Sequence, residues 1–127
     1  MIRIYGIAHR LDPIKGRLSD AINRCMVEAL QFPENKRAHR FFPMAADDFV
    51  FPEGRSDAYT VIEVNLMQGR SDVAKKRLIH ALFERLEAEL GLSPVDVEVM
   101  VFESPPANFG FRGMTGDEAQ LNYRIDV

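Results

Sequence analysis

Along this chain the hydrophobic positions alternate, fall into a helical stripe, and then repeat both patterns. Residues 2–8, IRIYGIA, alternate as a half-buried strand does. Asp12 then offers an N-cap, and Pro13 suits the first helical position, where a missing N–H costs nothing. Ile14, Leu18, Ala21, Ile22, Cys25, Met26, Ala29 and Leu30 recur at the spacing of one helical face, and Pro33 marks the exit. RAHRFFPMA (37–45) reads as a second strand, with Pro43 placing it at an edge or a bulge. The second half begins with AYTVIEVNLM (58–67), β-branched and alternating. Ser71 or Asp72 caps a helix whose apolar face is Ala74, Leu78, Ile79, Leu82, Phe83, Leu86 and Leu90, and Gly91 supplies its stop. VDVEVMVF (95–102) is a strand by its alternating valines, and 103–118 reads as a long loop.

An offset of sixty positions overlays the halves: Arg10 falls on Arg70, Asp12 on Asp72, Lys15 on Lys75, Arg17 on Arg77, Leu18 on Leu78 and Leu30 on Leu90. Any two β-α-β units share a cap and an apolar stripe, but an arginine just before both helix entrances points to duplication. One domain over 1–127, with halves of about 1–57 and 58–127, is therefore expected. Its class is α+β: a two-layer sandwich from duplicated β-α-β units, a four-stranded mixed sheet with two helices on one face. No third long helix is left for the other face, so self-association is expected.

Composition adds mainly exclusions. The chain is 46% hydrophobic and 28% charged with a formal net charge of −3, which gives no general attraction to nucleic acid or anionic membrane. The basic run NKRAHR (35–40) is too short to indicate nucleic acid. No apolar run approaches the roughly 20 residues of a membrane span, and no signal-peptide pattern is visible, so a cytoplasmic location is expected by default. The one cysteine, Cys25, reads as a buried structural thiol; with no second Cys there is no internal disulfide. Three scattered histidines make no metal site with it, GFRGMTG lacks the lysine of a phosphate loop, and no cofactor is expected.

Candidate chemistry centres on Arg70. A guanidinium at a helix entrance joins the positive end of the helix dipole and free backbone N–H groups, a setting suited to a carboxylate. Arg10 occupies the corresponding place in the first half. The alternative is that each arginine pairs with a nearby acid such as Asp72 or Glu63, or bridges subunits. ESPPANFGFRGMTGDE (103–118) carries Phe109, Phe111 and Arg112, which suit either an apolar pocket wall with an anion contact or an arm packed on a neighbouring subunit. Three groups are candidate bases: the Met1 α-amino group, with a reference pKa of ~7.7–8.0; His39 on the second strand; and Glu63, a carboxyl among apolar strand residues. A lone strand histidine such as His39 is more often a hydrogen-bonded structural group, and Glu63 reads equally as an outward-facing carboxylate or an arginine's partner.

Duplicated β-α-β units with Gly69-Arg70-Ser71-Asp72 at a strand-to-helix turn resemble the tautomerase superfamily, whose type member is 4-oxalocrotonate tautomerase. GLSPVDVEV (91–99) and NFGFRG (108–113) are most similar to the longer branch that includes malonate semialdehyde decarboxylase. The resemblance implies a homotrimer with sheets inside and sites near subunit contacts, acting on small oxo or enol carboxylic acids. It also implies an N-terminal proline as general base beside carboxylate-holding arginines. This sequence begins Met1-Ile2-Arg3, and Ile2 is too bulky for efficient removal of Met1. Lys36 falls where the decarboxylase has its catalytic aspartate, Gln68 where it has a second arginine, and Phe109 where it has a tryptophan. The expectation is a weak or altered isomerase that lacks the usual proline; the alternative is a non-enzymatic anion-binding or structural trimer.

Overall fold

The computed structural model describes residues 1–127. Strands β1 (Ile2–Ile7), β2 (His39–Met44), β3 (Thr60–Met67) and β4 (Val97–Ser104) form one sheet in the order β2-β1-β3-β4. β1 pairs parallel with β2 and β3 parallel with β4, while β1 and β3 run antiparallel at the centre. Each parallel pair is bridged by a long helix, α2 (Lys15–Leu30) in the first half and α3 (Asp72–Leu90) in the second. This is the α+β mixed sheet that the hydrophobic periods imply.

The pleat divides the sheet. Ile2, Ile4, Ile62, Val64, Leu66 and Val97 are buried with Leu18, Ile22, Cys25 and Leu30 of α2 and Leu78, Leu82 and Leu86 of α3 in one core. Burial pushes the Cys25 thiol up to about 11, so it behaves as an inert apolar filler. The opposite face carries Arg3 beside Glu63, Tyr5 stacked on Phe42 at 4.8 Å, and the exposed side chains of Met100 and Phe102. No helix lies over it.

The two helix entrances differ. Ser71 is the N-cap of α3 and accepts from the Ala74 N–H at 3.1 Å; Gly91 closes the helix at φ 67°. The first half turns helical earlier than Asp12. A short helix, α1 (Ala8–Leu11), follows β1 directly, then a 3-10 turn at Asp12–Ile14 leads into α2. Pro13 has no N–H to continue an α ladder, so the chain tightens there. Arg10 thus lies inside a helical turn, whereas Arg70 lies ahead of an N-cap. The loop expected over 103–118 is also more ordered: β4 extends into it, and a hairpin of β5 (Gly110–Phe111) and β6 (Met114–Thr115) follows. Its turn, Arg112-Gly113, has φ of 53° and 76°, as a two-residue primed turn requires. No helix is long and apolar enough to cross a membrane.

Candidate active site

A cavity of about 310 Å3 opens where β1 begins, β3 ends and the hairpin folds back. Its walls include Met1, Phe32, Lys36, Asn65, Met67, Arg70, Phe109, Phe111, Arg112, Leu121 and Tyr123. Five sequence candidates therefore meet here: Met1, Arg70, Phe109, Phe111 and Arg112.

Arg70 is the most unusual group in the molecule. It follows Gly69, whose φ of 143° and close approach to the Ile125 carbonyl oxygen, 3.1 Å from where a Cβ would stand, admit only glycine comfortably. The turn sends the guanidinium inward, and Arg70 is only 6% exposed. Nη1 donates to the Met67 carbonyl oxygen at 3.2 Å, but Nε and Nη2 are buried with no partner in hydrogen-bond geometry, the Tyr123 hydroxyl standing beside the guanidinium. Those two nitrogens form the side-on edge that grips a carboxylate with parallel hydrogen bonds. Burial pulls the Arg70 pKa below its usual value, against the opposing pull of Tyr123 and Glu103. It forms no ion pair with Asp72 or Glu63; Asp72 engages Lys75, which is held more tightly by Glu103 at 2.6 Å.

The Met1 ammonium donates to the Asn65 carbonyl oxygen at 3.1 Å. Burial lowers its pKa from 8.0, and the charges of Arg40, Arg3 and Arg70 lower it further. A larger share of neutral amine at neutral pH follows. The hairpin contributes Phe109 and Phe111, with the Arg112 guanidinium 5.1 Å from the Phe111 ring centroid. Gly116 makes this wall possible, because a Cβ there would meet the Pro106 carbonyl oxygen and lie 3.2 Å from the Phe109 Cβ.

Three candidates lie outside the cavity. Arg10 is half exposed, pairs with Asp57 at 3.2 Å, and borders a separate cavity of about 100 Å3. Glu63 accepts from the Tyr5 hydroxyl at 2.9 Å on the helix-free face of the sheet. His39 Nδ1 meets the Ser19 hydroxyl at 2.8 Å, and burial, then Arg37 and the N-terminal ammonium, lower its pKa to about 4. Sequence reasoning missed Phe32 and Tyr123 as wall residues. Phe32 follows the end of a helix and Tyr123 lies in an irregular tail, so no periodic pattern pointed to either.

A family model described as "Tautomerase enzyme" matches residues 36–112. Among solved structures, malonate semialdehyde decarboxylase superposes with a TM-score of 0.81 at 28% identity, over 90% of this chain and 92% of that one. A malonate semialdehyde decarboxylase named FG41 and inhibited by 3-bromopropiolate gives 0.79 at 26%, over 87% and 88%. A fused 4-OT, solved as an asymmetric trimer, gives 0.81 at 24%, over 92% and 96%, and shows the fold alone. A model match across more than half of the residues, on a sheet and helix pair of the same build, makes this chain a member of the tautomerase family.

Proposed function

We propose that the cavity binds a small oxo or enol carboxylic acid and moves a proton between its enol oxygen and the carbon next to the oxygen-bearing one. The supporting observation is Arg70: a buried guanidinium whose carboxylate-gripping edge has no partner. A ligand carboxylate on that edge supplies two charge-assisted hydrogen bonds and compensates the buried charge. The neutral Met1 amine, close by in the same cavity, takes the enol hydroxyl proton; the resulting ammonium returns a proton to carbon, giving the keto acid. Phe109 and Phe111 keep water from the chain of the acid, and Arg112 adds positive charge at the hairpin. A primary amine in place of the family's proline makes the activity a weak or altered isomerase.

The active form is a homotrimer. Phe42, Met100 and Phe102 on the helix-free face are 40%, 56% and 42% exposed, an apolar surface suited to contact with further copies. The trimeric fused 4-OT structures share this fold.

A second reading, an anion-binding trimer without turnover, draws on the absence of any carboxylate from the cavity wall and on the hydrogen bond that engages the amine. Loss of the enol absorbance of phenylenolpyruvate or 2-hydroxymuconate separates the two. Catalysed decay that Arg70→Ala abolishes supports the isomerase. A ligand-induced rise in Tm without decay supports the binder, and a catalysed rate unchanged by Arg70→Ala removes Arg70 from the account. Intact mass spectrometry retaining Met1 supports the amine assignment; a chain starting at Ile2 overturns it.

A further inference from the structure

The cavity is more positive than one carboxylate requires. Lys36, Arg70 and Arg112 all line it, and no aspartate or glutamate does, in a chain whose formal net charge is −3. None of the three takes part in an ion pair, although Arg10, Lys75 and Arg85 elsewhere do. Lys36 is held instead by aromatics: its Nζ lies 4.8 Å from the Tyr123 ring centroid, and that ring packs edge-on against Phe32 at 5.4 Å. A cation braced on a ring face is positioned while its N–H donors remain free for a ligand. Mutual repulsion among three uncompensated cations opposes folding unless the ligand brings matching charge. Once one carboxylate is on Arg70, two cations are still uncompensated.

We propose that the preferred ligand carries two anionic groups, one gripped by Arg70 and the other received by Lys36, so that Lys36 selects dianionic over monoanionic acids. This rests on the reading that the cavity takes a carboxylate at Arg70. Pairs of acids that differ only in a second carboxylate test it: trans,trans-muconate against sorbate, and fumarate against crotonate. Their Kd values are measured by titration calorimetry on the full chain. At least one diacid should bind about tenfold or more tightly than its monoacid partner, as a partly exposed charge-assisted contact allows. Lys36→Met should erase that preference by weakening the diacid far more than the monoacid, and the preference should shrink as salt rises. Monoacids that bind as tightly as their diacids overturn the inference while leaving the carboxylate site standing. A preference that survives Lys36→Met also overturns it. If none of the four acids binds, the inference and the reading beneath it both fail.

Discussion

Replacing Arg70 with methionine should make the unliganded protein more stable. Nε and Nη2 of Arg70 are buried donors with no partner, and each such group costs about 1–3 kcal/mol. Arg70→Met removes both costs together with the desolvated charge. It also removes the Nη1 bond to the Met67 carbonyl oxygen, which contributes about 1 kcal/mol. The thioether is flexible enough to fill the gap beside Met67 and Phe109. The balance favours the variant by about 1 kcal/mol or more, equivalent to roughly 4 °C in Tm for a chain of this length. Urea and thermal unfolding check this at fixed protein concentration, because the midpoint of a self-associating chain moves with concentration. The same variant should lose any stabilisation by added sorbate. An unliganded midpoint that falls refutes the reasoning, since Arg70 would then be a satisfied structural residue rather than a group waiting for an anion.

Three further outcomes are expected. The Met1 amine acts when neutral and its pKa lies below 8.0, so kcat/KM for an enol acid should rise with pH and level off at an inflection below 8.0; an inflection above 8.0 contradicts this. His39 titrates at about 4 when folded against 6.5 otherwise. The unfolded chain therefore binds more protons between those values, and stability should climb with pH across that window. His39→Asn should flatten the slope in urea melts at stepped pH, and an unchanged slope refutes it. Gly116→Ala presses on the Pro106 carbonyl, Met67 and Phe109. It should cost about 1–3 kcal/mol in urea unfolding and weaken sorbate binding through the displaced wall, whereas a variant unchanged in both contradicts that role for Gly116.

The elements were legible in the sequence because hydrophobic period records which face is buried. Alternation over 58–67 marked β3, the stripe from Ala74 to Leu90 marked α3, and Ser71 and Gly91 marked its ends. The first half was harder to read. Asp12 and Pro13 look like a helix start, yet Ala8–Leu11 already turns, and Pro13 forces a 3-10 step inside the helical run. The antiparallel pairing of β1 with β3 puts the two helix entrances at opposite ends of the sheet, so Arg10 and Arg70 lie far apart although they match in sequence. The candidate site was legible where chemistry stood out locally: Arg70 at a helix entrance, the Met1 amine, and the aromatics and arginine of 103–118, all of which line the cavity. Phe32, Lys36 and Tyr123 come together through long-range packing of a helix exit against a tail, which leaves no local pattern.

The proposed role of Arg70 is to receive a small carboxylate on its free edge. It is tested most directly by 1H–15N NMR of arginine Nε groups during titration with sorbate, the Arg70 signal being assigned by its loss in Arg70→Lys. This Nε–H resonance should move downfield and saturate with the ligand. A resonance that stays fixed while sorbate binds would contradict it.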